Sequence, residues 1–549
     1  MVGATRIELA TSRPPAVRAT TAPSPDNSGH YTTDCAHEVW YIRGMKKFMQ
    51  KHERLLLILA PTLLGVLYIA LCAINLRQSV WFDESYSAYL TRFSFGEIWE
   101  LARVDVHPPL FYFLLKIWGE LFGNTDFGLR FMSVFFGAIA VVFAWQWLKR
   151  VFGTKAALLG TLLLTISPMF IRYGQEMRMY TLAAAIVFGA TYVLQLAMDT
   201  KKRKYWIIYG ILIALGMWTH YFTALIWLTH LIYLIYVYRK KILQKEVLLG
   251  YAAAVVAYLP WLPGFMHQVA VVQGGFWVGQ PNVVTITDTY TNALVYLDSS
   301  EIVNWVLVLT AAAMAGVIFL AMKGSKKMTL LKAMAFLPPI LLILLSMPPL
   351  KPIFLDRYLF YSVMCLALVV GVSTVTTKFK TKVVPIVLAI LFVGTSAVGL
   401  VNLYRLGNYN KVTKNQSDVK TLFEHIVESS EVGVPIISCD EWKYYDMAFY
   451  ETEDYPVYFL DEQVDYIWGS HEPLVQAKSG KILELDAFLE EHETVWYACD
   501  LPAKGNLEFP REGLHMTQSL VVEVGVNQRP YQAIQMSRVD VGYTLEYKL

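Results

Sequence analysis

Residues 156–204 read AALLGTLLLTISPMFIRYGQEMRMYTLAAAIVFGATYVLQLAMDTKKRK. Two apolar runs, 156–171 and 180–198, flank a short turn that carries Arg172, Glu176 and Arg178. A helix must supply roughly 20 mostly apolar residues to cross about 30 Å of hydrocarbon, and each run approaches that length. The second run closes on Lys201, Lys202, Arg203 and Lys204. The segment is therefore a helical hairpin that crosses a membrane twice, with its two ends chemically distinct.

The same pattern extends in both directions. Apolar runs near 55–75, 128–148, 205–220, 222–238, 247–263, 303–322, 330–347, 358–375 and 383–402 bring the expected crossings to about eleven. The stretch 108–122 is shorter and rich in aromatics, and reads as an amphipathic helix at the interface. Lys149, Arg150 and Lys155 fall on the same side as the 201–204 cluster. So do Arg239, Lys240, Lys241 and Lys245, then Lys323, Lys326 and Lys327, then Lys378, Lys380 and Lys382. The basic flank from Lys46 to Arg54 joins them, and the opposite loops are poor in Lys and Arg. The positive-inside rule puts the basic side in the cytoplasm, so an odd number of crossings leaves the C-terminal piece outside.

Composition agrees. Of 549 residues, 55% are hydrophobic and 17% charged, and the mean hydropathy is +0.41. A soluble globule carries about 25% charged residues, which excludes that class along with disordered and collagen-like chains. The net charge of +3 hides an asymmetry: from Tyr404 to Leu549 there are 12 Lys/Arg and 25 Asp/Glu. That acidic piece has short alternating elements: helices at 416–429 and 486–493, strands at Val434–Cys439, Val457–Leu460 and Thr494–Cys499, and a closing pair at 516–526 and 531–539. Alternating helices and strands point to a small extracytoplasmic α/β domain, 404–549, after a transmembrane domain, 45–403. No glycine-rich phosphate loop opens its helices, so no nucleotide site is expected. Residues 1–44, with Arg-Pro-Pro at 13–15, read as a disordered arm or a misassigned start before Met45. The five cysteines have no metal spacing, and Cys439 and Cys499 read as two buried free thiols in preference to a disulfide. Nucleic acid is not an expected partner.

Chemistry gathers in the outer loops. Trp81-Phe82-Asp83-Glu84 follows the first span, and an aromatic shelf beside two carboxylates would desolvate them and suit a general base. The plainer reading is an interfacial Trp beside ordinary loop acids. Asp105-Val106-His107-Pro108-Pro109 precedes an apolar helix, and Pro-Pro starts helices well, so His107 sits at a helix N-terminus. Arg172 and Glu176 have the i,i+4 spacing of a local pair, which leaves Arg178 for an anion such as phosphate. His220-Tyr221-Phe222 and Asp356-Arg357-Tyr358 also face outward. A helix-end histidine and a local ion pair would explain them without function, but all these groups lie on one side. Phe276-Trp277, in the outer loop 264–302, could stack on a sugar or sit at the headgroups.

Taken in order, Asp-Glu after the first span, His-Pro-Pro-Leu-Phe-Tyr, Arg-Tyr-Gly-Gln-Glu-Met-Arg-Met-Tyr and the late Asp-Arg-Tyr resemble the dolichyl-phosphate-mannose–protein mannosyltransferase-like family. Within that GT-C superfamily the resemblance is greatest to the bacterial branch of lipid A aminoarabinose transferases, over about residues 55–405. The resemblance implies transfer of a sugar from a polyprenyl-phosphate donor to a lipid, glycan or protein acceptor, with inversion, at the outer face of the plasma membrane. It makes Asp83 the general base, with Glu84 supporting it or binding acceptor and Glu176 as the second acidic site. Arg178, Arg172 and Arg357 would grip the donor phosphate. His107, His220, Tyr173, Tyr180 and Tyr358 match positions around the substrate. A divalent metal beside the outer-loop acids is left open and none is assigned. The rival classes are a lipid or sugar flippase, which would place charges at mid-membrane in internal repeats, and a non-catalytic envelope receptor.

Overall fold

A computed structural model describes residues 59–239, 243–275, 278–297, 304–381, 383–406, 419–461, 472–477, 479–500, 514–522 and 531–537. The expected arm 1–44 and the aromatic pair Phe276-Trp277 lie outside the described residues.

Helices α1 (Leu59–Ala73), α2 (Phe82–Leu90), α3 (Phe95–Val104) and α4 (Leu110–Phe122) precede the long α5 (Asp126–Phe152). Then come α6 (Thr154–Thr165), α7 (Pro168–Gly174), α8 (Tyr180–Thr200), α9 (Arg203–Thr219), α10 (Thr223–Tyr238), α11 (Lys245–Tyr258) and α12 (Leu262–Gly274). Helices α13 (Val283–Val295), α14 (Asn304–Lys323), α15 (Thr329–Leu345), α16 (Phe360–Thr376) and α17 (Val383–Leu406) complete the bundle. Over its described residues each apolar run read from the sequence is helical, with 156–171 divided between α6 and α7 and 247–263 between α11 and α12. Among the described residues six helical stretches are long and apolar enough to cross: Asp126–Phe152, Tyr180–Thr200, Lys245–Gly274, Lys326–Leu345, Asp356–Thr376 and Val383–Arg405. The pair α6 and α7, bent by 62°, makes a seventh if counted as one span. Helices α1, α10 and α14 are apolar as well, over Leu59–Ala73, Thr223–Tyr238 and Leu307–Lys323. The bend follows from Ser167-Pro168, since proline has no N–H to continue the ladder and settles at the first position of α7.

Outward faces carry Leu63, Val66, Ile211, Val255, Val256 and Ile390, all exposed, a distribution suited to lipid and costly in water. The chain is an integral membrane protein. Inside the bundle small residues allow close approach: a Cβ on Gly371 of α16 would collide with the Gly160 backbone of α6.

The C-terminal piece is an α/β layer built from α18 (Val419–Ser429), β1 (Ile436–Ser438), α19 (Glu441–Ala448), β2 (Val457–Leu460), α20 (Glu472–Val475), β3 (Lys481–Ile482), α21 (Leu485–Glu491), β4 (Thr494–Asp500), β5 (His515–Val522) and β6 (Tyr531–Ser537). The strand order is β3-β2-β1-β4-β6-β5. Strands β3, β2, β1 and β4 are parallel, whereas β6 pairs antiparallel with β4 and β5. Central β1 is buried at all three positions, as a parallel strand covered on both faces should be.

The register sets Ser438 beside Ala498, so the next residues on each strand meet. Cys439 and Cys499 form a disulfide, with Cα atoms 5.3 Å apart. This corrects the expectation of two free thiols: two neighbouring strands bring their ends within the range that a disulfide spans. Thiol labelling of the unfolded chain should therefore gain two reactive cysteines after reduction; equal labelling with and without reductant would contradict the bond.

Candidate active site

Two arginines from separate elements converge on Asp83. Its carboxylate Oδ2 lies 3.3 Å from Arg357 Nη1 and 3.9 Å from Arg178 Nη2. Arg178 comes from the turn between α7 and α8, and Arg357 from the short turn that opens α16. Both guanidiniums reach a single carboxylate oxygen, far inside the roughly 15 Å beyond which one phosphate could not bridge them. Asp83 keeps 22% of its side chain exposed, so the oxygen pair is open to a ligand.

Arg178 is held in place from several sides. Its Nη1 donates to the Asp83 carbonyl at 3.0 Å and to Ser87 Oγ at 2.8 Å. Its Nη2 lies 3.2 Å from His107 Nε2. A guanidinium can only donate, so His107 Nε2 must be the acceptor and the ring proton sits on Nδ1. That proton faces Asp105 Oδ2 at 3.4 Å, and Tyr112 donates to the same oxygen at 3.3 Å. The orientation of His107 thus follows from Asp105. From behind, Gln268 of α12 donates to the Ala102 carbonyl at 2.5 Å and the His107 carbonyl at 3.2 Å, fixing the 102–107 segment. Arg178 Nε is buried and has no hydrogen-bond partner among the described residues.

Glu84 takes a place the sequence did not foretell. It is fully buried, and both of its oxygens accept from Arg130 of α5, at 2.9 Å from Nε and 2.7 Å from Nη2. Arg130 also donates to the carbonyls of Leu76, Gln78 and Ser79. Glu84 Oε1 further accepts the Met177 N–H at 2.7 Å, tying α2 to the turn that presents Arg178. The Arg130 guanidinium and the Met177 N–H thus enclose this carboxylate. Glu176, expected in the catalytic set, is also buried and pairs with Arg172 at 3.5 Å across one turn. Arg172 lies 4.0 Å from Asp356 and stacks over Tyr173 at 4.9 Å, so its charge is matched by its own neighbours. The local-pair reading describes this residue.

Aromatic rings floor the site. Tyr361 and His220 Nδ1 are 2.9 Å apart, Tyr180 packs edge-on to His220 at 5.4 Å, and Tyr173 lies 4.6 Å from Tyr180. Tyr358 stacks on Phe222 with centroids 3.8 Å apart and planes at 12°. It also lines a cavity of about 300 Å³ whose other walls include Met217, Leu225, Phe265, Leu345 and Ile353. An apolar cavity therefore abuts the charged cluster. Phe82, expected to shelter the carboxylates, packs instead on Trp442 at 4.2 Å in the C-terminal domain.

Sequence reasoning missed Arg130, Ser87 and Gln268. Arg130 had a usable signal, an ionisable residue inside the apolar run 128–148, which is rare unless it is paired. Among the described residues the one Cys/Asp grouping with metal-like spacing is Cys439, Asp440 and Cys499, whose two sulfurs are joined to each other. At Asp83 a divalent cation would face two guanidiniums within 4 Å, a setting made for an anion.

Residues 106–263 match the family described as dolichyl-phosphate-mannose-protein mannosyltransferase. No curated protein sequence matches the chain. Among solved structures, ArnT from Cupriavidus metallidurans bound to undecaprenyl phosphate aligns with a TM-score of 0.57 at 13% identity, over 88% of this chain and 98% of that one. Its apo form aligns at 0.58 and 12%, over 87% and 97%. The Archaeoglobus fulgidus oligosaccharyltransferase in its apo form aligns at 0.47 and 15%, over 73% and 64%, too distant to carry an argument. The resemblance read from the motifs is met by a family match across residues 106–263 and by a fold shared with ArnT along most of the chain.

Proposed function

We propose that the chain is a membrane glycosyltransferase that moves a sugar from a polyprenyl-phosphate donor to an extracytoplasmic acceptor with inversion at the anomeric carbon. The observation that carries this reading is one carboxylate held between two arginines, beside an apolar cavity lined by Tyr358. Such a site offers a base, a seat for a phosphate and room for the first isoprene units of a lipid tail. A relative in fold, ArnT, was solved bound to undecaprenyl phosphate, which supports a lipid-linked donor. We take the topology as eleven crossings, with α1, α9, α10 and α14 completing the set. The basic loops then face the cytoplasm, and the transmembrane domain, 45–403, carries the site outward beside the C-terminal domain, 404–549. A disulfide in that domain suits an oxidising space.

In the reaction, the acceptor hydroxyl oxygen bonds to the anomeric carbon on the face opposite the phosphate. The carbon–oxygen bond to phosphate breaks, its electron pair stays with the polyprenyl phosphate, and the hydroxyl proton passes to Asp83. Fixed guanidinium charge aimed at the departing phosphate supplies most of the stabilisation, because it needs no reorganisation as charge develops. Arg178 and Arg357 face Asp83 in the free site, and the donor phosphate takes up the same charges on binding. The His107–Asp105 pair keeps Arg178 aimed, and Arg178 Nε is a further donor for a phosphate oxygen.

Arg178→Ala or Arg357→Ala should weaken polyprenyl-phosphate binding by about 2–5 kcal/mol, the usual cost of truncating one partner of a buried charged hydrogen bond. Lysine at either position should recover part of that, since it restores charge without the two-pronged geometry. Binding of labelled undecaprenyl phosphate to the purified variants measures this. The broader test is mass spectrometry of envelope lipids, glycans and proteins with and without the chain. A glycosyl modification that depends on the chain is expected, and identical profiles would sink the transferase reading.

A further inference from the structure

Helix α2, which carries Asp83, is nine residues long and has no side-chain cap at its start. Isolated helices shorter than about 12–15 residues are marginal, so packing must hold it. Successive helical residues are turned by about 100°, which sorts its side chains into faces. Asp83 and Ser87 share the face toward Arg178, and Glu84 points to Arg130. The remaining arc holds Phe82, Ser85, Tyr86 and Tyr89.

That arc is covered by the C-terminal domain. Tyr445 of α19 lies edge-on to Phe82, Tyr86 and Tyr89, with centroids 5.7, 5.5 and 5.0 Å away. Ser85 Oγ donates to Asp446 Oδ1 at 2.5 Å, in a contact buried from solvent. Just before α2, the Val80 N–H donates to the Tyr450 hydroxyl at 2.8 Å. Burial pushes the Tyr450 hydroxyl pKa upward, so it stays neutral. Just after α2, Arg92 bonds Glu451 and the Ala448 carbonyl, both at 2.5 Å. Helix α19 is itself anchored: Asp440 caps it by accepting the Lys443 N–H at 2.7 Å, and the preceding Cys439 is bonded to Cys499 on β4. The sheet is thus linked through α19 to both ends and one face of the base-bearing helix.

We propose that Tyr445, Asp446 and Tyr450 are positioning residues, through which the C-terminal domain sets where the Asp83 carboxylate stands. The inference rests on the reading of Asp83 as the base. It makes the extracytoplasmic domain part of the catalytic apparatus rather than an appended module. A displacement of about 1 Å at a reacting group can cost on the order of 100-fold in rate, so a clamp on α2 governs turnover without touching substrate.

The test uses the full chain in lipid nanodiscs. Asp446→Ala and Tyr450→Phe should lower kcat by about tenfold or more, the factor carried by one hydrogen bond of this class. Affinity for undecaprenyl phosphate should fall much less than kcat, because His107 still holds Arg178 and Arg357 stands on another element. Amide exchange should speed up in residues 82–90 and stay unchanged in α5 and α8. Asp446→Asn, which can still accept from Ser85, should restore most of the turnover. Wild-type turnover or unchanged α2 exchange in Asp446→Ala overturns the clamp, as does a parallel loss of donor affinity and turnover. Full turnover in Asp83→Asn overturns the base assignment instead, and the exchange readout keeps the two failures apart.

Discussion

Asp83→Asn should reduce sugar transfer by about 100- to 10,000-fold, the range that a positioned general base contributes. The substitution keeps the side chain's shape but removes its capacity to take the acceptor proton. Donor binding should survive and could tighten, because the carboxylate that faces Arg178 and Arg357 in the free site no longer competes with phosphate. The informative result is therefore a split: turnover collapses while affinity for polyprenyl phosphate is kept. Loss of both together would mean that the variant has lost its fold. Substantial turnover by the Asn variant would remove Asp83 from the mechanism.

The second large effect is expected at a residue that touches no substrate. Arg130→Ala should destabilise the chain by about 3–5 kcal/mol, the usual cost of stripping one partner from a buried ion pair. Both side chains are fully buried, so Glu84 would lose its counter-charge with no water to replace the guanidinium. Three carbonyls, at Leu76, Gln78 and Ser79, lose their donor in the same step. An apolar double replacement, Arg130→Met with Glu84→Leu, should recover little, because those carbonyls and the Met177 N–H stay orphaned. Thermal unfolding of the detergent-purified chain reads this directly. An Arg130→Ala variant as stable as the parent would contradict the account of how α2 is fixed.

Features governed by local chemistry were legible in the sequence. The runs around RYGQEMRMY, the basic loop ends and the acidic C-terminal piece require only counting and spacing. The Arg172–Glu176 pair follows from their four-residue spacing at the end of α7, and the α4 start follows from Pro-Pro. Features that depend on distant partners were not. The burial of Glu84 against Arg130 was not legible, because the partner is 46 positions away on another helix. Phe82 looked like a shelf over the carboxylates, whereas the rings it packs on belong to Trp442 and Tyr445. The disulfide needed the register of β1 against β4, which two cysteines at strand ends do not supply alone. The outer motifs gave the right neighbourhood, since Asp83, His107, Arg178 and Arg357 come together in one cluster.

The central claim is that one phosphate of a lipid donor sits between Arg178 and Arg357, beside Asp83. Cryo-electron microscopy of the full chain in nanodiscs saturated with undecaprenyl phosphate tests it most directly. The account predicts phosphate density within about 2.7–2.9 Å of nitrogen atoms from both guanidiniums, with the lipid chain entering the cavity lined by Phe222, Phe265 and Tyr358. Phosphate density bound elsewhere on the bundle, with Arg178 and Arg357 still closed on Asp83, would contradict it.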